Sequence, residues 1–249
     1  MDLAEEYKNQ IKWREWDSYL LYLPVGEQDT VYDMGCGVGD VTSLLAKKAS
    51  RVTGIDNNPE LIKMAKRTNT ADNISYMIAD VFSLDYHSLP LCDGIWCSFA
   101  AAYFPNFTSV LKAWKNILKP GGWIALVEVN DLFGHQPLCP STSKLFNDLL
   151  QIKNNRYDPE MGNKLKDMLI ESGFTVFHEE NKYDKELSFD GPAEPRIIEA
   201  WGYRFDRMHR FKEYVGENKF DDIKKEFLAC LSGEDHTSRA IVKFIIARK

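Results

Sequence analysis

The sequence predicts an α/β fold, with strands and helices alternating along the chain. Three observations carry this. Val31-Tyr32-Asp33-Met34-Gly35-Cys36-Gly37-Val38-Gly39-Asp40 is an apolar run that closes on an acid and turns through glycine at every second position. Val41, Leu44, Leu45 and Ala49 follow at helical spacing, so the order is strand, glycine loop, helix. Further apolar runs then recur along the chain, with helical patterns between them.

The elements can be justified in order. Residues 1–23 suggest an amphipathic lead-in helix, with Leu3, Tyr7 and Ile11 four residues apart, then Trp13 and Trp16, closed by Pro24. Strand one ends at the glycine loop. Strand two, Val52–Asp56, closes on a second acid. Asn58-Pro59-Glu60 reads as an N-cap with proline in the first turn, opening a helix through Arg67. Ile74–Val81 is a third strand containing Asp80, and Asp93–Phe99 a fourth. Val110, Leu111, Trp114, Ile117 and Leu118 mark a helix that Lys119-Pro120-Gly121-Gly122 stops before a fifth strand, Trp123–Val129. Beyond it, Leu145, Leu149 and Ile152 suggest one helix, and Met161, Leu165, Met168 and Leu169 another, ended by Gly173. Phe174–His178 reads as a sixth strand and Ala240–Ile246 as a seventh. The roughly sixty residues between them are too many for bare loop. Ile198, Trp201, Phe205 and Met208, then Phe220, Ile223, Phe227 and Leu231, give that insertion helical spacing.

The loop at 35–39 has the chemistry of a cofactor cradle. Glycine lets a ligand approach the backbone, and the helix start behind it offers free N–H groups. Asp56 can accept hydrogen bonds from both hydroxyls of a ribose. A dinucleotide fingerprint would carry glycine at the sixth position of G-x-G-x-x-G. Here that position is Asp40, whose charge would repel a pyrophosphate but not a cationic ligand.

With the Leu-Lys-Pro-Gly-Gly segment, this arrangement over residues 29–130 resembles the class I S-adenosylmethionine-dependent methyltransferases, in their small-molecule, ubiquinone/menaquinone-type branch. The resemblance implies a Rossmann-like, seven-stranded, mostly parallel sheet with an antiparallel last strand and helices on both faces. It implies a lead-in cap at 1–28, a cofactor-binding core at 29–183, a helical lid insertion at 184–236 between strands six and seven, and a final strand at 237–249. The implied cofactor is S-adenosyl-L-methionine, with S-adenosyl-L-homocysteine as product. Asp33, Gly35, Cys36, Gly37 and Gly39 match the first motif of the family, beside the methionine portion and ribose. Asp56 matches the ribose acid, with Asn57 and Asn58 beside it. Asp80 matches the acid facing the adenine amino group, and Val81 would offer a backbone N–H. Ser98 and Phe99 match the end of strand four near the methionine amino group, with Tyr103 just beyond as a candidate facing the methyl. Tyr7 or Trp13 would cover the cofactor.

The acceptor side rests on less. The amide-proline-proline-aromatic segment of nucleic-acid amino methylases is absent from Cys97–Phe104, which points to a small molecule. The chosen base is His135, because histidine titrates near neutrality, with Asp131 and Glu128 as further candidates beyond strand five. His209 lies in the insertion. Asn130 and Asp131 do not assemble a metal ligand set, and no metal is expected. The aromatic inventory of Trp201, Tyr203, Phe205, Met208 and Phe211 suits an organic acceptor or serves as the insertion's own core.

The 249 residues, 44% hydrophobic, are those of an ordinary globular protein. A net charge of −6 with scattered basic residues argues against general nucleic-acid binding. Residues 1–20 lack the apolar core of a targeting peptide, and no run approaches a bilayer span. Five cysteines without metal-type spacing indicate a reducing, cytoplasmic setting without structural disulfides. Oligomeric state is not readable. Alternatives are a protein or RNA methyltransferase, a non-catalytic S-adenosylmethionine-binding sensor or partner subunit, and more distantly a nicotinamide oxidoreductase.

Overall fold

A computed structural model describes residues 3–152 and 157–249. Met1 and Asp2, where the expected lead-in begins, lie outside the described residues. The frame is a sheet of β1 (Thr30–Met34), β2 (Arg51–Asp56), β3 (Ile74–Ile78), β4 (Cys92–Ser98), β5 (Leu118–Val129), β6 (Thr175–Lys182) and β7 (Val242–Arg248). Its order is β3-β2-β1-β4-β5-β7-β6. Strands β1 to β5 pair in parallel, while β7 lies antiparallel to both β5 and β6. This is the Rossmann-like architecture that the sequence led us to expect.

The helices are α1 (Leu3–Gln10), α2 (Trp16–Leu20), α3 (Asp40–Leu45), α4 (Pro59–Thr68), α5 (Phe107–Ile117), α6 (Pro140–Asn147), α7 (Met161–Glu171), α8 (Pro195–Asp206), α9 (His209–Val215) and α10 (Glu217–Leu231). Helix α4 begins where Asn58 and Pro59 predicted: the Asn58 side chain accepts from the Glu60 and Leu61 N–H groups at 3.0 and 3.3 Å.

Alternation along the strands divides the interior into two layers, because successive side chains point to opposite faces. Trp123, Ala125, Val127 and Val129 of β5, with Val242, Phe244 and Ile246 of β7, join a core shared with α2, α3 and the helices α8 to α10. Ile124 and Leu126, with Ile245 and Ala247, face the other way against α5 and α7. The inserted helices therefore extend one face of the core through Trp201, Phe205, Phe220 and Phe227.

Some boundaries differ from the sequence reading. The Leu145–Ile152 helix breaks after Asn147 into a 3-10 turn, Asp148–Gln151. The Ile198–Met208 spacing crosses a real boundary, since Met208 caps α9 rather than ending α8. Strand β5 starts earlier, at Leu118, because that residue pairs with Cys92 before a register shift.

Candidate functional site

The carboxyl ends of β1, β2 and β4 converge where the strand order reverses, which is where open α/β sheets bind ligands. The loop after β1 turns through Gly35, Gly37 and Gly39 at φ of +78°, +55° and +82°. The Gly35 and Cys36 N–H groups donate to the Ile55 carbonyl at 2.8 and 3.1 Å, fastening the loop to β2. A side chain at Gly39 would run into the Tyr76 phenol. At Gly37 the nearest atom to an added Cβ is Tyr7 Cδ1, 4.0 Å away, so the α1 ring stands over the loop at ordinary contact distance from that position.

Asp56 is the organiser of this cradle. Its Oδ2 accepts from the Gly37 N–H and its Oδ1 from the Asn58 N–H, both at 2.9 Å. Each oxygen retains lone-pair capacity for a further donor. Burial raises its pKa, against the lowering by these backbone N–H groups. Asn57 beside it is exposed. Cys36 is half-buried, its thiol held well above the ordinary range by burial and by Asp33.

Asp33, read as a ligand, and Asp40, read as excluding a pyrophosphate, both have other occupations. Asp33 is buried and its Oδ2 accepts from the Thr42 hydroxyl at 2.6 Å, so it fastens the start of α3 rather than facing the cleft. Burial pushes its pKa up to about 7. Asp40 accepts from Asn69 Nδ2 at 2.8 Å, and the same amide donates to the Val38 carbonyl at 2.9 Å. Asp80 is exposed, accepts from the Phe82 N–H at 2.9 Å, and lies between the exposed apolar side chains of Ile78 and Phe82. Val81 is buried, and its carbonyl accepts from the Tyr86 hydroxyl.

At the end of β4, Ser98 Oγ accepts from Trp96 Nε1 at 3.1 Å. Phe99 holds a left-handed φ of +52°, unfavourable for a side-chain-bearing residue. Its N–H donates to the Val127 carbonyl at 2.8 Å, and the Arg14 guanidinium sits 4.7 Å above its ring. The following turn, Ala101–Tyr103, is gripped from both sides. The Ala102 N–H donates to Glu128 Oε2 at 3.2 Å, and the Ala102 carbonyl accepts from the Asp158 N–H at 2.8 Å. Those two bonds bring Tyr103 to Tyr157, with ring centroids 5.0 Å apart. Tyr103 is 53% exposed and Tyr7 36%, and the Tyr103 phenol adds to the burial that raises the pKa of Tyr7.

A buried ionic knot closes this end of the molecule. Arg14 donates to Asp184 at 2.6 Å and Glu186 at 2.7 Å, and Arg204 donates to Glu186 at 2.5 Å. Gln10 bridges Glu6 and Glu186, while Arg207 pairs with Glu6. Arg204 lies over Trp201 at 4.7 Å. Its charge lowers the pKa of Tyr7, Tyr103 and Tyr157, against burial, which raises all three. The sequence reading missed Arg14, Tyr157, Glu186 and Arg204. The one available signal was Arg204 falling three residues after Trp201, within the apolar stripe of α8.

His135 is corrected. It is 0% exposed, its Nδ1 lies 2.9 Å from His236 Nε2, and Trp201, Phe227 and Phe189 box the ring. Burial, then the neighbouring His236, drives its pKa down to about 3. It presents no surface to a ligand and is a core residue, not a base at the cleft. Asp131 pairs with Arg239 at 3.4 Å, and His209 is exposed. Glu128 remains beside the phenols. It is 1% exposed, accepts from the Ala102 and Val129 N–H groups, and burial pushes its pKa up to about 7. Among the described residues no group of three or more His, Cys, Asp or Glu is arranged to hold a metal.

Comparison with known proteins matches residues 32–126 to the model of a methyltransferase domain. The ubiquinone biosynthesis O-methyltransferase of Xanthomonas axonopodis is 30% identical over 102 residues, 40% of this chain and 43% of that protein. Its counterpart in Paracidovorax citrulli is 33% identical over 104 residues, covering 40% and 43%. The chain thus spans less than half the length of these curated relatives. Among solved structures, an S-adenosylmethionine-dependent methyltransferase of Mesorhizobium loti matches with a TM-score of 0.58 at 20% identity, over 94% of this chain and 97% of that one. A cyclopropane synthase of Mycobacterium tuberculosis matches with a TM-score of 0.61 at 16% identity, over 94% and 82%. These likenesses establish the fold.

Proposed function

From the match of residues 32–126 to the model of a methyltransferase domain, we propose that the chain is a class I S-adenosylmethionine-dependent enzyme that binds S-adenosyl-L-methionine and transfers its methyl group to a small organic acceptor. The observation that carries this reading is Asp56, a half-buried carboxylate aligned by two backbone N–H groups beside an open glycine loop.

In this reading Asp56 takes the ribose hydroxyls, with Asn57 at the edge. Gly35, Cys36 and Gly37 line the path of the methionine portion, and the backbone of Ser98 and Phe99 receives its amino group. Asp80 and the Val81 backbone read the adenine between Ile78 and Phe82. Asp33 and Gly39 support the cradle from behind. The bound cofactor supplies an activated methyl on a sulfonium, so the protein's work is to position the acceptor in line and exclude water.

Tyr103 borders the acceptor, and Glu128 positions it by holding the Ala102 N–H. Helix α1 and the helices α8 to α10 form the cover. The relatives' printed activity, O-methylation in ubiquinone biosynthesis, supports a small acceptor with oxygen as the methylated atom. Among the described residues no helix is long and apolar enough to cross a membrane, in keeping with a cytoplasmic enzyme.

The test is transfer of isotopically labelled methyl from S-adenosylmethionine into cell extract fractionated by size, preceded by calorimetric titration with S-adenosylhomocysteine. Binding with label in the small-molecule fraction is expected. Label in protein or RNA overturns the acceptor class, and absence of binding overturns the cofactor assignment.

A further inference from the structure

The cover over the glycine loop is unusually rich in hydrogen-bond donors. Tyr7 hangs over Gly37 from α1. Tyr103 follows β4, and Tyr157 meets it edge-on. Arg204 reaches the same region from α8, where it shares the Glu186 carboxylate with Gln10 of α1, three residues on from Tyr7, and its charge also acts on the three phenols. These groups come from four separate parts of the chain, yet they share one electrostatic environment.

The guanidinium is under-supplied with acceptors. Among the described residues its hydrogen bond goes from Nη2 to Glu186, and that carboxylate also serves Arg14 and Gln10. Arg204 Nε is buried with no hydrogen-bond partner. A buried, unpaired donor on a permanent cation is costly unless an acceptor arrives. The side chain as a whole remains 21% exposed.

Resting on the cofactor reading above, we propose that Tyr7, Tyr103 and Arg204, walled by the Tyr157 ring, form the acceptor subsite, and that the two phenols and the guanidinium so named recognise a carboxylate carried by the acceptor. Phenol hydroxyls and a guanidinium are donors that suit a planar anion. A carboxylate is favoured over a phosphate monoester because Glu186 and Glu128 stand in the same field, and a dianion would meet about twice the repulsion. A neutral amide would leave Arg204 with the Glu186 carboxylate alone, which it shares with Arg14. The methylated atom is then a second group of the same molecule, held toward the glycine loop while the carboxylate is anchored under α8.

Calorimetry on the full chain tests this with benzoate, benzamide and phenyl phosphate as probes, each with and without saturating S-adenosylhomocysteine. Benzoate is expected to bind at least about tenfold more tightly than benzamide and more tightly than phenyl phosphate. Arg204→Met should abolish the preference for benzoate. Because Arg204→Met also strips a partner from Glu186, Tyr103→Phe is the second variant. It removes one exposed hydroxyl and should weaken benzoate roughly three- to tenfold while leaving S-adenosylhomocysteine affinity in place.

Equal binding of benzoate and benzamide overturns the proposal, as does a preference for phenyl phosphate or a benzoate preference that survives both substitutions. The arm without S-adenosylhomocysteine keeps the two readings apart. A protein that prefers benzoate but ignores S-adenosylhomocysteine refutes the cofactor assignment alone.

Discussion

Replacing Asp56 by alanine separates its two tasks. In the structure it aligns the glycine loop through the Gly37 N–H at 2.9 Å, and in the proposed complex it accepts the two ribose hydroxyls. A hydrogen bond to a charged group contributes roughly 1.5–3 kcal/mol, so two hydroxyl contacts amount to about 3–6 kcal/mol. At 1.4 kcal/mol per decade, Asp56→Ala should weaken S-adenosylhomocysteine binding by about 10² to 10⁴. Loss of the Gly37 anchor adds to this, so the variant alone does not isolate the hydroxyl contacts. The discriminating assay is calorimetry with S-adenosylhomocysteine and its 2′-deoxyribose analogue. The unmodified protein should favour the natural ligand by about tenfold or more, and Asp56→Ala should lose most of that preference. A folded Asp56→Ala protein that binds within threefold of the parent, or a parent indifferent to the 2′-hydroxyl, would refute the assignment.

Other predictions concern the scaffold. Asp33 and Glu128 titrate at about 7 in the fold against 3.8 and 4.5 as ordinary carboxyls, so the folded state holds extra protons between about pH 4 and 7 and loses stability as pH rises through that window. For Asp33 the full shift corresponds to roughly 4 kcal/mol. His135 acts oppositely: neutral in the fold down to about pH 3, it removes stability as pH falls below 6.5. Denaturant unfolding of Asp33→Asn should show a gain over the parent at pH 8 that shrinks toward pH 4, and a pH-independent difference would contradict the buried-acid account. Gly39→Ala and Gly121→Ala place a side chain at similar positive φ, +82° and +76°, but only the first meets Tyr76. The first should cost about 2–4 kcal/mol and the second about 1–2 in equilibrium unfolding, and equal costs would show that Tyr76 yields freely. Arg14→Met takes the ion-pair partner from buried Asp184 and leaves Glu186 with Arg204 alone, and should destabilise by about 3–5 kcal/mol, a value near zero arguing that the ionic knot is dispensable.

What was legible in the sequence was local. The loop at 35–39, Asp56 and the Asn58 cap each lie within a single strand-turn-helix unit, so neighbouring residues suffice to read them. Arg14 and Glu186 acquire their role from a pairing 172 positions apart, which no periodicity records. His135 was misread because a histidine after β5 looked like a loop residue at the ligand edge. A short antiparallel pairing of His135–Gln136 with Thr237–Ser238 instead draws it under Trp201 and Phe227. Asp33 was read as a ligand because strand-end acids serve that way, but Thr42, nine residues on, had already claimed it. Helical spacing found α8 and α10, yet it ran past the α8 boundary at Met208, since apolar stripes continue across short turns when both helices line one core.

The position of β7 sets an order on synthesis. This strand fills an interior slot between β5 and β6, although it is encoded after both of them and after α8 to α10. While the ribosome is still translating the inserted helices, β5 and β6 each keep a bare edge facing a gap one strand wide. Such edges invite pairing with other chains. Strand β6 joins the sheet only through β7, so the sheet cannot be completed before Val242–Arg248 is available.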